Sequence, residues 1–252
     1  MERLSTIGGH AGFYYKNLVS GEALQYNADD LFLAASIIKL PMAVVMELMF
    51  ARGSLDPMSV VTITDGEKVG GAGGLSLIPG DVHVNIRGLY NNMIALSDNT
   101  ATNKLLRTVS LKSFEDGFNS IGLSKTRINR LLYDKEAQKK GINNYFVLSE
   151  IMVLLDDLYQ GNKFGKDVSD AVLAILKQQQ FNHKIPCRIP GKTEIAHKTG
   201  EDEGTTHDVG IVYAEKPFLI GFASNNVDVY EMEDAIKNIS WHLYSRNSMK
   251  QA

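Results

Sequence analysis

The stretch AASIIKLP at residues 34–41 begins a strongly apolar helical segment and places a serine three residues before a lysine. On a helix, residues i and i+3 lie on the same face, with their Cβ atoms about 5–6 Å apart. The Lys39 amine can therefore reach the Ser36 hydroxyl, which needs a neighbouring base to become a nucleophile at neutral pH. Because residues 40–46 are all apolar, burial is expected to lower the pKa of Lys39 and make it such a base.

A second interpretation of this stretch involves no chemistry. Serine is a common residue at the start of a helix, and a lysine close to that start can extend its amine into solvent. Serine and lysine are both frequent residues, so the spacing alone does not decide between the two interpretations. Other motifs in the chain are needed to choose between the catalytic and the structural interpretation.

The rest of the chain divides into strands near both ends and helices between them. Residues 11–16 and 23–27 are aromatic-rich runs separated by turn residues, which predicts a β-hairpin. Through the middle of the chain, apolar residues recur at helical spacing. Helices are predicted at residues 36–51, 86–96, 100–109, 114–120, 145–159, 168–180 and 232–244, and further strands at residues 60–63, 82–86, 194–198, 207–214 and 217–223.

This order of elements predicts an α+β fold. A hairpin at the start and three strands at the end most economically join into one antiparallel sheet, so residues 1–34 and 185–252 are expected to form a sheet lobe with flanking helices. Residues 35–184 are expected to form an inserted all-α lobe. The cleft between the two lobes, within one structural domain overall, is the expected site.

Composition and charge argue against several classes of function. The 252-residue chain has a formal net charge of −3, which gives no basic surface for nucleic acid. It contains no run of about 18 apolar residues, so no membrane span is expected. Its start lacks the apolar segment of a signal peptide, so we expect a protein that stays in the cytoplasm, or one that is secreted or periplasmic after losing an export segment. We expect a monomer.

Residues that could bind metals or form disulfides are sparse. Cys187 is the single cysteine, so no internal disulfide can form. His197 and His207 lack a third ligand at the spacing of a zinc site, so we expect no metal and no cofactor. Asp208 is expected to form structural hydrogen bonds. The glycines of residues 70–74 lack the Gly-Lys-Ser/Thr ending of a phosphate loop, which favours a flexible turn.

Two further motifs decide how Ser36 is interpreted. Ser97-Asp98-Asn99 lies between two predicted helices, and Lys198-Thr199-Gly200 ends a predicted strand. Each alone could be structural, the first as a helix cap and the second as a strand entering a turn. Together with Ser-x-x-Lys, in this order, they are the signature of penicillin-binding proteins and class A β-lactamases. From about residue 11 onward, the chain therefore resembles the class A β-lactamase family of serine penicillin-recognising enzymes, whose fold has this two-lobe topology.

The resemblance implies a role for each catalytic residue. Ser36 would be the nucleophile that becomes acylated, and Lys39 would accept its proton. Ser97 would pass a proton to the leaving nitrogen. Lys198 would supply positive charge beside Ser97 and beside the substrate carboxylate.

The same resemblance implies the substrate-binding residues. Asn99 would orient the substrate amide, and Thr199 would hydrogen-bond the substrate carboxylate. Gly200 and Glu201 would complete this substrate-binding set. The backbone N–H groups of Ser36 and Glu201 would form the oxyanion hole, a device that lowers the barrier by several kcal/mol.

The chain departs from the family at the loop whose glutamate activates water for deacylation. The family pattern is Arg-x-Glu-x-x-Leu-Asn, and the corresponding residues 126–137 are TRINRLLYDKEA. The glutamate position falls at about Leu132, which cannot act as a base. Asp134 and Glu136 are candidate substitutes, unless both simply belong to a solvated loop or helix start. Acylation chemistry is expected to be intact, whereas rapid turnover of penicillins is in doubt.

The predicted function is that of a serine β-lactamase-like hydrolase that opens β-lactam amides through an acyl-enzyme at Ser36. Its expected partner is a small-molecule β-lactam or acyl-amide substrate. One alternative is a penicillin-binding enzyme of D,D-peptidase or esterase type that deacylates slowly. Another is a ligand-sensing module whose output is acylation or binding itself.

Overall fold

The structure, a computed structural model, describes residues 2–248. The strands are β1 (His10–Asn17), β2 (Ala23–Tyr26), β3 (Leu31–Leu33), β4 (Val60–Ile63), β5 (Val82–Asn85), β6 (Tyr145–Val147), β7 (Ile195–Asp202), β8 (Thr205–Val212) and β9 (Phe218–Asn225). The α-helices are α1 (Glu2–Ser5), α2 (Lys39–Ala51), α3 (Ile86–Ala95), α4 (Asn99–Val109), α5 (Leu111–Ser120), α6 (Lys135–Lys139), α7 (Leu148–Gln160), α8 (Lys166–Leu176) and α9 (Val229–Ser248). Short 3-10 turns cover Ala35–Ile38, Asp65–Glu67, Leu75–Leu77 and Ile185–Arg188.

Five strands form one antiparallel sheet in the order β2-β1-β9-β8-β7, so strands from both ends of the chain lie side by side. β1 pairs with β9 along its whole length, from His10 opposite Asn225 to Asn17 opposite Phe218. β8 is buried at every residue, because it is an interior strand that is covered on both faces. The predicted α+β fold with an antiparallel sheet built from both chain ends is confirmed.

Helices cover the sheet and enclose two hydrophobic cores. The core beneath α1 and α9 includes Phe13, Phe222 and Ile236. The other core surrounds α2, in which every residue from Lys39 to Glu47 is buried. A helix that is apolar on all sides has no face for solvent, so α2 lies inside the helical region rather than on its surface. Within residues 2–248, no helix is both long and apolar enough to cross a membrane.

Tertiary pairing changes the local structure where the sequence pattern favours a helix. β3 pairs with β6, with Phe32 opposite Phe146, so the helix predicted from residue 145 begins only at Leu148. That part of the prediction is wrong because the strand partner lies more than a hundred residues earlier in the chain. The first long helix also divides, since residues 35–38 form a 3-10 turn and α-helical geometry begins at Lys39.

A buried polar network fastens the last helix to the first strand. Asn17 Nδ2 donates to Asn247 Oδ1 at 2.6 Å, and Asn247 Nδ2 donates to the Tyr15 hydroxyl at 3.1 Å. The same amide group donates to the carbonyl oxygen of Leu243 at 2.8 Å. Asn247 is only 3% exposed, so these bonds are shielded from water.

Candidate active site

Ser36 lies in the 3-10 turn that precedes α2, and it lines a cavity of about 660 Å³. Because a 3-10 turn has three residues per turn, residues i and i+3 eclipse each other, and Lys39 follows on the same side as Ser36. Ala35 has a φ of +40°, in the left-handed region that an alanine rarely adopts. The turn that presents the candidate nucleophile is therefore strained.

The Lys39 ammonium is fully buried and is held by the Ser-Asp-Asn motif. Its Nζ lies 2.5 Å from the Ser97 carbonyl oxygen, 3.1 Å from Ser97 Oγ and 2.8 Å from Asn99 Oδ1. Burial lowers the pKa of Lys39 well below its usual value, and the charge of Lys198 lowers it further, while Asp98 acts in the opposite direction. A lysine whose pKa is lowered in this way can accept a proton at neutral pH.

The Ser97 hydroxyl lies between two lysines. Lys198 Nζ donates to Ser97 Oγ at 3.0 Å and to the Thr199 carbonyl oxygen at 2.9 Å. Burial lowers the pKa of Lys198 to about 7; the charge of Asp208 acts against this shift, and that of Lys184 acts with it. Two ammonium groups on one hydroxyl repel each other, which favours a state in which one of them is neutral. A proton can then pass between the lysines through Ser97.

The turn that presents Ser97 is fixed by its neighbours. Ser97 itself has a φ of +52°, again in the left-handed region. The Asp98 carboxylate accepts the Ala101 N–H at 2.8 Å, which caps α4, and the Leu75 N–H at 2.9 Å. A Cβ on Gly73 would lie 2.1 Å from the Asp98 carboxylate, so only glycine fits there. The glycine-rich turn therefore supports the motif directly.

The same glycine-rich turn, residues 70–74, forms one wall of the cavity. Gly70 accepts a hydrogen bond from Asn99 Nδ2 at 3.0 Å, and a Cβ on Gly71 would lie 2.2 Å from Tyr133 Oη. Sequence analysis predicts only a flexible turn here and misses this contribution. The one signal for it is the density of glycines, which allows the backbone to approach other atoms closely.

β7 brings the Lys-Thr-Gly motif alongside the turn that holds Ser36. Thr199 and Glu201 line the cavity. Gly200 faces the 3-10 turn, and a Cβ at this position would lie 3.2 Å from Ile37 Cγ1. The missing side chain therefore allows the strand to pass close to the candidate nucleophile.

Lys184 is a further residue of the site, and no sequence motif reveals it. The fully buried Nζ donates to the carbonyl oxygens of Gly200 at 3.3 Å and His207 at 3.0 Å, and it pairs with Glu201 Oε1 at 3.1 Å. Burial acts to raise the pKa of Glu201, but the charge and hydrogen bond of Lys184, together with the charges of His183 and Lys198, lower it overall. Lys184 thus neutralises this carboxylate and holds the backbone beside the Glu201 N–H.

The two histidines near the Lys-Thr-Gly motif have structural partners. His197 Nδ1 lies 2.9 Å from Asp208 Oδ1, and the other oxygen of Asp208 accepts the Ile185 N–H at 3.0 Å. Burial lowers the pKa of His207 to about 3, so this ring is neutral and Nε2 can donate to the Leu33 carbonyl oxygen at 2.9 Å. Asp208 thus forms the hydrogen bonds that the sequence analysis expects of it.

One group of side chains, which includes the cavity-lining Glu201, has donors that suit a metal ion. His183, Glu201 and Glu233 bring their ligand atoms within 4.8 Å of one another. Each carboxylate already has a lysine partner, however, with Lys184 at 3.1 Å from Glu201 and Lys237 at 3.6 Å from Glu233. These lysines already supply counter-charges to the two carboxylates.

Asn103 holds Leu132, the position where a deacylating glutamate is expected from the resemblance. Its side chain accepts the Leu132 N–H at 2.8 Å and donates to the Leu132 carbonyl oxygen at 2.9 Å. Leu132 lines the cavity and brings an apolar side chain to it. This position therefore offers no base for activating water.

The two candidate substitutes for that glutamate point elsewhere. Asp134 accepts the Ala137 N–H at 3.0 Å and so caps α6. Glu136 is 75% exposed and pairs with Lys139 at 2.8 Å. Neither residue lines the cavity. The geometry does not support Asp134 or Glu136 as a base beside Ser36; it fits the alternative, a solvated helix start.

The cavity joins the remaining site residues that the sequence predicts. Among its lining residues are Ser36, Ser97, Asn99, Thr199 and Glu201, while Lys39 and Lys198 are buried behind Ser97. Residues that sequence reasoning did not assign to the site also line it: Leu33, Gly71, Ala72, Arg130, Tyr133, Lys135, Gln138, Asn143, Asn144, Phe181 and Asp202.

Comparison with known proteins gives a family match over most of the chain. A family model described as the Beta-lactamase enzyme family (Beta-lactamase2) matches residues 2–246. This match confirms the resemblance drawn from the three motifs. A search of curated protein sequences found no significant match.

Solved structures with the same fold cover almost the whole chain. A β-lactamase from Sphaerobacter thermophilus is 22% identical with a TM-score of 0.88, covering 99% of this chain and 95% of its own. A protein called PBP-A is 24% identical with a TM-score of 0.87, covering 97% of this chain and 92% of its own. A leucine-to-glutamate variant of PBP-A was solved as an acyl-enzyme complex with penicillin G. It is 24% identical with a TM-score of 0.87, and the match covers 97% of this chain and 93% of the PBP-A chain. At these identities the structures establish the fold.

Proposed function

The chain belongs to the beta-lactamase enzyme family, and on that premise we propose that it is a serine hydrolase whose Ser36 forms an acyl-enzyme with β-lactams or related acyl amides. The observation that carries this proposal is the Ser97 hydroxyl, 3.1 Å from Lys39 Nζ and 3.0 Å from Lys198 Nζ. Cleaving an amide through a serine ester requires a base for the serine and an acid for the nitrogen. In this proposal Lys39 would be the base for Ser36, and Ser97 would be the acid for the leaving nitrogen.

In the proposed acylation, Ser36 Oγ bonds to the carbonyl carbon while its proton passes to the neutral amine of Lys39. Charge develops on the carbonyl oxygen, where the N–H groups of Ser36 and Glu201 would stabilise it. When the C–N bond breaks, the nitrogen takes the Ser97 hydroxyl proton, and Lys39 returns to Ser97 the proton that it accepted. The products are an ester on Ser36 and, for a β-lactam, an opened ring.

In this proposal, three further residues bind the substrate rather than react with it. Lys198 in its protonated form would attract the substrate carboxylate, and Thr199 would hydrogen-bond it. Asn99 would orient the substrate amide through its side chain, which already holds Lys39 at 2.8 Å. Pre-oriented polar groups of this kind act without having to reorganise during the reaction.

We infer that hydrolysis of the ester on Ser36 is slow. Leu132 supplies no base, and the side chains of Asp134 and Glu136 do not line the cavity. Glu201 does line it, but its carboxylate is paired with Lys184. These contacts favour the alternative in which a penicillin-binding enzyme of peptidase or esterase type keeps its acyl group, over rapid β-lactamase turnover.

Intact-protein mass spectrometry with benzylpenicillin, sampled from seconds to hours, tests both steps. We expect the mass of one penicillin to be added and to persist. The Ser36→Ala variant should gain no mass, whereas Ser54→Ala, an exposed serine outside the cavity, should behave like the native protein. Ring opening without a lasting mass gain would instead show a working β-lactamase. The absence of both an adduct and ring opening would contradict the proposal.

The slow second step has its own test at Leu132. We expect Leu132→Glu to shorten the life of the adduct by about a hundredfold, the usual range of a positioned general base. Leu132→Gln has nearly the same shape without the base and should leave the adduct stable. If the two variants shorten its life equally, the slow step has another cause.

A further inference from the structure

The cavity beside Ser36 has walls of opposite charge that the proposed chemistry does not use. Lys135 and Arg130 come from the loop of residues 127–144, and Asp202 comes from the end of β7. All three line the same cavity as Ser36. A group attached to the acyl carbon would have to occupy this space.

Within residues 2–248, Lys135 and Asp202 have no ion-pair partner, although the charge of Asp202 acts on Arg130 from beyond ion-pair distance. Lys135 is exposed at the first position of α6, and the Asp202 carboxylate accepts only the N–H of the adjacent Glu203, at 2.9 Å. Both are therefore available to a ligand.

Arg130 is a half-buried cation that donates its hydrogen bonds to neutral acceptors, while the charges of Asp202 and Asp134 act on it from a greater distance. Its guanidinium donates to the carbonyl oxygens of Ile142 and Leu131, each at 3.0 Å, and to Asn143 Oδ1 at 3.4 Å. Across the described chain it has no carboxylate at ion-pair distance. Burial lowers the pKa of Arg130 even though the charges of Asp202 and Asp134 act against that shift, so an anionic ligand in contact with the guanidinium would offset the remaining cost of burying the charge.

Glu201 is the other carboxylate on the β7 wall, and its charge is already neutralised. Lys184 pairs with it at 3.1 Å and His183 lies 3.1 Å from the same oxygen. The effective charges facing the cavity are therefore positive at the 127–144 loop and negative at Asp202 on β7, whose charge acts on Arg130. A ligand that spans the cavity meets both signs.

We propose that this cavity selects acyl groups that carry both a carboxylate and an ammonium group. The carboxylate would lie against Lys135 and Arg130, and the ammonium group against Asp202. This inference rests on the proposed function, because the selected group must be the one that is transferred to Ser36.

The test uses four penicillins that share one nucleus and differ in the charge of the acyl side chain. Benzylpenicillin is neutral, carbenicillin adds a carboxylate, ampicillin adds an ammonium group, and penicillin N carries both in its aminoadipyl chain. Second-order acylation rates are measured by mass spectrometry. Each matched charge should accelerate acylation about two- to fivefold, the size expected of a solvent-facing ion pair, so penicillin N should react fastest. The advantage should shrink at high salt.

Paired variants assign each charge to its wall. Lys135→Gln should lower the ratio of the carbenicillin rate to the benzylpenicillin rate, and Asp202→Asn should lower the corresponding ratio for ampicillin. Lys139→Gln removes a charge from the same short helix and Glu203→Gln removes one next to Asp202, but neither residue lines the cavity. Both control variants should leave the ratios unchanged.

The outcomes separate the two proposals. Acylation of Ser36 at equal rates by all four penicillins would overturn the charge selection and leave the proposed function standing. An equal change of the rate ratio in a variant and in its control would also overturn the charge selection, because the effect would then come from the net charge of the protein. No adduct with any of the four would overturn the proposed function, and the selection with it.

Discussion

Lys198 is the residue whose protonation is expected to set the upper pH limit of acylation. Its pKa of about 7 means that the charge beside Ser97 is lost as the pH rises through neutrality. Lys39 acts in the opposite sense, because it must be neutral to accept the proton of Ser36, and its pKa is lowered by burial. As the pH increases, the acylation rate should therefore rise when Lys39 loses its proton and fall when Lys198 loses its proton.

We predict that the acylation rate constant at low penicillin concentration, which reports the free enzyme, falls about fiftyfold between pH 7 and pH 9, as for a single ionisation. Lys198→Arg should flatten this fall, because a guanidinium stays charged in that range. The variant will be slower overall, since arginine has a different shape. Lys192→Arg, at an exposed position, should keep the native fall. An unchanged fall in Lys198→Arg would assign it to another group.

The motif residues could be predicted from spacing, whereas their supporting residues could not. Ser36 and Lys39 are three apart, and that interval has a fixed meaning on a helix. Lys184 lies fourteen residues before Lys198, and the residues next to it in the sequence do not indicate that this lysine is buried. Its position depends on three acceptors that come together only when β7 and β8 pair, so it becomes visible only in the folded chain.

The loop of residues 127–144 is the element on which the proposed slow deacylation and the proposed charge selection both depend. Its two ends are tied by the backbone pairing of Arg127 with Tyr145, at 2.8 and 3.0 Å. Asn144 adds a side-chain clamp by accepting the N–H groups of Asn129 and Arg130, at 2.8 and 3.0 Å. The loop around the charged Arg130 guanidinium is therefore held closed mainly by hydrogen bonds between neutral amide groups.

We predict that Asn143→Asp stabilises this loop by giving Arg130 a carboxylate partner. The gain should be about 0.5–1 kcal/mol, a melting temperature higher by about 1–4 °C in thermal unfolding. The pairing lowers the pKa of the new carboxyl, so the gain should be present above about pH 4 and be lost as the pH falls below that value. In an Arg130→Gln background, Asn143→Asp should give no gain; an equal gain there would exclude the ion pair as its cause.

Helices and strands with long regular patterns were predictable, but elements defined by a distant partner were not. The hairpin of β1 and β2 follows from alternation around a short turn, and α2 follows from its apolar run. β3 and β6 have three residues each and exist because Phe32 and Phe146 pair across more than a hundred residues. The glycine turn at residues 70–74 likewise acquires its role from Asp98 and Tyr133, which it meets only after folding.

The molecule as a whole depends on bringing its two chain ends into one sheet. β7 carries the Lys-Thr-Gly motif, and its position is set through β8 and β9, which pairs with β1. The register of the chain-end strands thus determines how β7 passes Ser36. Sequence order alone predicts this joining, because a hairpin and three strands separated by helices have few other antiparallel arrangements.

We predict that Asn247→Ala weakens the whole fold without changing acylation. The substitution removes the partners of Asn17 Nδ2 and the Tyr15 hydroxyl, both buried, which should cost about 2 kcal/mol and lower the melting temperature by about 4–8 °C. None of these residues lines the cavity, so benzylpenicillin should acylate the folded variant at the native rate. Asn119→Ala, at an exposed site on α5, should leave melting nearly unchanged. An equal fall in melting temperature in Asn247→Ala and Asn119→Ala would show that the hydrogen bonds of Asn247 do not stabilise the junction of the two chain ends.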